Sequence, residues 1–191
     1  MSQIEIYYCD VESTGLDFYK HSPIEISLIR NSTKEQKTWF LAPLDIENID
    51  LDALKMNHNK YEDVIGKTKE GKLKYIDPRK VLIDIENWIV DDNMTTNERW
   101  LCGHNIAFDK YMLEFLWKKC NTFDSFPFGR RMLDTMQVQL LLDLKDNALS
   151  DNYTLSNCIK RYGIKNAKAH SAEADIKATS ELFLKQISLM K

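Results

Sequence analysis

Four carboxylates, Asp10, Glu12, Asp109 and Asp175, together with His170 five residues before the last of them, are the side chains here best suited to chemistry. Asp10-Val11-Glu12 ends the apolar stretch Ile4-Glu5-Ile6-Tyr7-Tyr8-Cys9. Residues two apart on a strand share a face, so the two acids stand side by side. Such a pair repels. A hard divalent cation, which takes oxygen ligands and neutralises their charge, is the simplest thing that makes the pair favourable.

Two further segments carry groups of the same kind. Gly103-His104-Asn105-Ile106-Ala107-Phe108-Asp109 reads as a strand end running into a helix. Gly103 permits close backbone approach, and Asp109 in the first helical turn is favoured by exposed N–H groups and the positive helix end. Asp109 is either a helix-start stabiliser or a functional acid, and its place beside a strand end, where α/β folds bind ligands, adds weight to the second. His104, directly behind a buried strand, reads as a hydrogen-bonded structural or substrate-shaping residue rather than a metal ligand. In His170-Ser171-Ala172-Glu173-Ala174-Asp175, Ser171 is placed to cap a helix whose Ala172, Ala174 and Ala178 allow close packing on the first strand. His170 precedes that helix in a flexible approach and can take a proton from water near neutral pH.

The elements that must position these groups read as mixed α/β. Ile4–Cys9, Pro23–Ile29 and Lys37–Leu41 are short and rich in β-branched or aromatic residues, separated by Gly15 and by the polar turn Arg30-Asn31-Ser32-Thr33, which gives three antiparallel strands. From Ile49 to about Val64 two short helical pieces flank Asn57-His58-Asn59, and Lys67–Lys74 reads as a charged loop. Pro78 opens a helix with Val81, Leu82, Ile85, Trp88 and Ile89 on its apolar face. Trp100–Gly103 is a strand; helices follow over Phe108–Leu116, Thr135–Leu144, Leu155–Tyr162 and Ala172–Ile187. No repeat or linker divides the 191 residues, so one domain over 1–191 is expected.

Composition narrows the function classes. Hydrophobic residues make up 43% and charged ones 29%, the balance of a soluble globular protein. Twenty-six basic against 29 acidic side chains leave a net charge of −3. That excludes a general polycation coating nucleic acid and still permits a local phosphate site whose positive charge comes from metal. There is no membrane-spanning run and no basic, apolar leader at the N-terminus; four cysteines without CxxC spacing fit a reduced, cytoplasmic protein.

Asp10-Val11-Glu12-Ser13-Thr14-Gly15-Leu16, Gly103-His104-Asn105 with Phe108-Asp109, and His170 to Asp175 together resemble the DnaQ-like 3′–5′ exonucleases, in the DEDDh subgroup, nearest to the proofreading epsilon-type and stand-alone domains. Each motif alone is weak; their order and spacing, over about residues 4–187, make the joint signal strong. The resemblance implies an RNase H-like α/β fold: a mixed five-stranded sheet, three antiparallel strands first, helices on both faces. It implies two divalent cations, Mg²⁺ or Mn²⁺, one on Asp10, Glu12 and Asp175 and the second supported by Asp10 and, through water, Asp109, with His170 as general base. It further implies that backbone N–H groups and a hydroxyl of Ser13, Thr14 and Gly15 meet the 3′ end, that Leu16 packs on the last base, and that Asn105 and Phe108 line the next nucleotide. Asp134, in Leu133-Asp134-Thr135, is structural by the same resemblance.

The expected partner is a nucleic acid with a free 3′ end, DNA ahead of RNA; an exoribonuclease of the same chemistry and an inactive binding relative are the alternatives. The chain departs from the pattern at Leu54–Lys60 and in the lysine-rich stretch after it. Tyr61, Lys67, Lys69, Lys72, Lys74 and Tyr75 suit strand contact or a solvated loop equally, and Arg130-Arg131 suit phosphate or a helix tether. Because so little follows the last helix, a stand-alone enzyme is expected ahead of a polymerase-bound replication subunit; separately, a monomer is expected ahead of a dimer.

Overall fold

The computed structural model describes residues 3–120 and 126–190. Its sheet contains β1 (Glu5–Ser13), β2 (Pro23–Arg30), β3 (Gln36–Phe40), β4 (Arg99–Gly103) and β5 (Met132–Asp134), ordered β3-β2-β1-β4-β5. The first three strands pair antiparallel, whereas β4 lies parallel to β1 and β5 parallel to β4. Parallel neighbours need a crossover, and helices supply it. Helices α1 (Leu51–Met56), α2 (Tyr61–Val64), α3 (Lys69–Lys74) and α4 (Pro78–Val90) precede β4; α5 (Ile106–Cys120) joins β4 to β5; α6 (Thr135–Lys145), α7 (Leu155–Arg161) and α8 (Ala172–Ser188) complete the chain. This is the RNase H-like arrangement. No helix among the described residues is long and apolar enough to cross a membrane.

The alternation of β1 decides which side chains can meet. Tyr7, Cys9 and Val11 bury in one core with Val81, Leu82 and Ile85 of α4 and Met112, Leu113 and Leu116 of α5. Tyr8 joins a second cluster on the opposite face with Cys102 and with Ile176 and Phe183 of α8. By the period of two, Asp10 and Glu12 share Tyr8's face, which is the face that α8 covers. All four cysteines are free and buried.

Three local expectations are corrected. The first strand does not end at Cys9: Asp10 to Ser13 continue the ladder with β2, and the pairing shifts only between Glu12 and Ser13. The acids therefore sit in sheet, where their backbones are held. Within the supposed charged loop, Lys69–Lys74 is helical, because the Thr68 hydroxyl accepts the Gly71 N–H at 2.9 Å as a cap and Gly71 lets the turn press on Asp63; a Cβ there would lie 2.2 Å from the Asp63 carbonyl oxygen. Ser171 occupies the N-cap of α8 in extended conformation, yet its side chain makes no capping bond; its carbonyl accepts the Ala174 and Asp175 N–H groups instead.

Candidate active site

Past Tyr8 the ladder between β1 and β4 stops, so the two strands part at their carboxyl ends and leave a crevice. Gly103, the last residue of β4, is needed where they part: a Cβ would stand 2.9 Å from the Cys9 carbonyl and 2.6 Å from Ile106 Cδ1. Glycine there lets α5 begin hard against β1. Asp109, one turn into α5 and buried, then accepts the Val11 N–H at 2.9 Å through Oδ1. A backbone donor that lost its strand partner is thus satisfied by a carboxylate.

Asp10 and Glu12 from β1 and Asp175 from the first turn of α8 converge in that crevice, each offering an oxygen within 4.8 Å of the others. Asp109 stands outside this trio, with one oxygen committed to Val11. The electrostatics follow from the crowding. Burial pushes the Asp10 carboxyl well above its ordinary value, and the charges of Asp109, Glu12 and Asp175 push it further. Glu12 is pushed up to about 8 by burial, then by Asp175 and Glu25, against an opposing hydrogen bond from Asn57. Burial likewise raises Asp109, and raises Asp175 against hydrogen bonds from Asn166 and His170. An all-oxygen trio short of positive charge fits a hard divalent cation.

His170 is exposed and adopts the left-handed backbone conformation, φ +64°, at the entrance to α8. Its N–H donates to Asp175 Oδ2 at 3.0 Å, and with Asp10 and Asp175 it lines a cavity of about 170 Å³. His104 lines the same cavity but is fully engaged: Nδ1 contacts Thr135 Oγ1 at 2.8 Å, and Nε2 donates to the Tyr153 carbonyl at 2.7 Å. Burial lowers its pKa, so a neutral, structural imidazole results. Asp134 is structural as well, its Oδ1 accepting from Met136 N–H (2.9 Å), as the cap of α6, and from Asn105 N–H (3.0 Å).

The turn after β1 uses several of its polar groups internally. Thr14 is fully buried, its N–H donating to the Ser22 carbonyl and its hydroxyl accepting the Ser22 N–H; the Ser13 hydroxyl donates to the Gly15 carbonyl at 2.6 Å. These bonds shape the turn, whose Ser13 and Gly15 also line the cavity beside Glu12. Gly15 has φ +154°, and a Cβ there would fall 2.4 Å from the His21 ring. Leu16 is 80% exposed, and with Glu12 and Phe108 it lines a second cavity of about 110 Å³ on the far side of the carboxylates. Asn105 is exposed at the start of α5.

Two residues at the site escaped the sequence reading. Asn57 donates to the Ser13 carbonyl at 3.1 Å and to Glu12, and the Asn166 amide donates to Asp175 Oδ1. Both come from loops whose side chains carry no periodic signal. The candidate strand contacts also sort themselves. Lys74 lies 4.1 Å from the Phe40 ring centre, Tyr75 is buried with its hydroxyl on Asn59, and Arg131 stacks on Trp100 at 5.4 Å, so these three brace the fold.

Comparison with known families decides what this constellation belongs to. A family model described as exonuclease, RNase_T, matches residues 8–183. The chain belongs to that exonuclease family. The fold is also that of solved exonuclease I structures. A zinc-bound complex of Escherichia coli exonuclease I with single-stranded DNA superposes with TM-score 0.74 at 18% identity, over 97% of this chain and 40% of that one. The same enzyme with a dT13 oligonucleotide gives 0.74 at 19% identity over 97% and 41%. A third exonuclease I structure gives 0.76 at 18% over 99% and 41%. The chain spans about two-fifths of the length of these proteins. No curated protein matches it by sequence.

Proposed function

We propose that this exonuclease-family chain is a 3′–5′ exonuclease acting on DNA, preferring single-stranded or frayed ends and releasing nucleoside 5′-monophosphates. The observation that carries the reading is the meeting of Asp10, Glu12 and Asp175 in one trio with His170 at its rim. DNA in place of RNA is supported by the likeness to exonuclease I, solved with single-stranded DNA and with dT13.

Asp10, Glu12 and Asp175 would hold one divalent cation, Mg²⁺ or Mn²⁺, and Asp10 with Asp109, through water, would support a second. Bound there, the cations lower the pKa of water and neutralise charge on the phosphoryl oxygens. The protein's own residues do the rest. His170, exposed beside the trio, takes a proton from the attacking water; the water oxygen bonds to phosphorus as the bond to the 3′ oxygen breaks, and the departing oxygen takes a proton from solvent to become the new 3′ hydroxyl. Leu16 and Phe108 flank the last base, which favours a terminus over an internal bond, and Asn105 lines the adjoining position. Asn57 and Asn166 hold Glu12 and Asp175 in place from behind.

The test is a 5′-labelled single strand incubated with purified protein under Mg²⁺ and then Mn²⁺, with matched RNA beside it. Stepwise shortening of the DNA with monophosphate release is expected. Full-length DNA under both metals would refute the activity, and RNA cleaved tenfold faster would reassign the substrate. Circular DNA or a 3′-phosphate end cut as fast as a free 3′ hydroxyl would refute the exonuclease polarity.

A further inference from the structure

Beyond the carboxylate crevice, α5 carries a stripe of rings on its outer face. Phe108, Tyr111, Phe115 and Lys118/Lys119 recur at the three- and four-residue spacing that keeps side chains on one side of a helix. Phe108 already lines the cavity beside Glu12, so the stripe starts at the site. Alongside lies the turn that follows β1. Phe18 stacks on Tyr111 with ring centres 5.7 Å apart and planes at 30°, and Tyr19 meets Phe115 edge-on at 4.7 Å. Lys119 clips the turn to the helix by donating to the Tyr19 carbonyl at 3.0 Å.

Phe18 is partly buried against the main core and so helps seat the turn. That role does not account for the other rings: Tyr19 is 66% and Tyr111 49% exposed, although a packing function would bury them. Charge on the patch is mildly positive. Lys20 is paired with Asp17 at 3.6 Å, Asp45 lies in the field of Lys119, and Lys118 lies 5.9 Å from the Phe115 ring centre. Recognition there falls on ring faces, with little call on phosphate pairing.

We propose that this ridge is a stacking platform for the part of a single strand lying 5′ of the terminal nucleotides. The inference rests on the exonuclease reading for its direction, since the 3′ end would be held between Leu16 and Phe108. Exposed aromatic faces beside a little positive charge are how proteins bind single strands without reading sequence. From Phe108 to Lys119 the helix advances roughly 16 Å at 1.5 Å per residue. At a base-stacking rise of ~3.4 Å the ridge accommodates about five nucleotides. Affinity should climb with strand length and level off about five nucleotides beyond those held at the carboxylates.

The experiment compares wild type with Tyr19→Ala/Tyr111→Ala and Tyr19→Phe/Tyr111→Phe on 5′-labelled strands of 3 and 12 nucleotides. Cleavage is followed in Mg²⁺, and binding by fluorescence anisotropy with Ca²⁺ in its place. Expected is a KM and Kd for the 12-mer raised at least fivefold by the alanine pair, as loss of stacked bases implies. The 3-mer rate should be unchanged and the phenylalanine pair should behave as wild type. Equal losses on both lengths, with a lowered melting temperature, would show that the rings only hold the turn. No loss on either length would also overturn the proposal, as would wild type binding the 12-mer no tighter than the 3-mer. If wild type cleaves neither strand, the exonuclease reading fails, and the anisotropy comparison still decides the platform.

Discussion

Replacing Glu12 with glutamine should make the metal-free protein more stable while removing its activity. Glu12 shares its crevice with Asp10 and Asp175 and is pushed from 4.5 up to about 8. An acid raised in the folded state binds more protons folded than unfolded between those two values, so stability falls as pH rises through that window. At about 1.4 kcal/mol per tenfold change in ionisation, the full penalty is on the order of 5 kcal/mol by pH 8 and nothing near pH 4. Glutamine keeps the shape and the contact with Asn57 but never ionises. For a domain of this size ~1 kcal/mol moves the melting temperature by roughly 2–4 °C, so Glu12→Gln in chelator should melt about 10–20 °C above wild type at pH 8. The two should converge near pH 4. Mn²⁺ at pH 8 should raise wild type more than the variant, since binding to the native state stabilises by mass action. Thermal unfolding by circular dichroism over pH 4–8, with and without metal, reads all three. A variant that melts at or below wild type at pH 8 in chelator would refute the charge-crowding argument.

Other substitutions separate roles within the same frame. Asp10→Ala and Asp175→Ala should each weaken metal binding and lower cleavage by orders of magnitude, whereas His170→Ala should slow single-turnover hydrolysis about 10²–10⁴-fold with metal titrations unchanged; rescue of His170→Ala by added metal would reassign that residue to the cation site. Asn166→Ala should raise the metal concentration needed for half-maximal rate, because Asp175 Oδ1 loses its donor, and an unchanged metal dependence would show that the contact is idle. Asp92 is almost wholly buried, with Arg99 at 2.7 and 2.8 Å and the Tyr7 hydroxyl at 2.7 Å. Burial alone would raise its pKa, but these hydrogen bonds hold it below the ordinary value, so its contribution is present above about pH 4 and lost as acid titrates it. Asp92→Asn should cost about 3–5 kcal/mol at pH 7, by urea unfolding, and flatten the loss of stability on acidification. Gly103→Ala should cost more than the usual glycine substitution, since the added carbon meets the Cys9 carbonyl oxygen as well as Ile106, and a wild-type melting temperature would contradict the close approach.

What could be read before any coordinates was the part of the site written in periodicity. Strand alternation put Asp10 and Glu12 on one face, and Ala172, buried at the start of α8, lets Asp175 reach that face from the neighbouring element; Ala178, expected there too, packs instead with Cys158 and Ile159 of α7. Gly103 was legible for the same reason, as a residue whose only use is closeness. Groups supplied by irregular backbone were not legible. Asn57 and Asn166 reach the carboxylates through loops whose path depends on packing far along the chain, and an asparagine in a polar loop looks the same whether or not it holds an acid. The internal bonding of the Ser13–Gly15 turn was equally hidden. Its residue types suit ligand contact, but Ser22, eight residues on from Thr14, returns to take the Thr14 N–H and hydroxyl, and that pairing becomes visible only when the start of β2 is laid beside the end of β1. Those bonds tie the turn to the start of β2 and leave Leu16 outside them, exposed beside Glu12 and Phe108. In the proposed exonuclease, then, the Ser13 and Thr14 hydroxyls set the course of the turn, and Leu16, 80% exposed, is its side chain left to meet the last base of a strand.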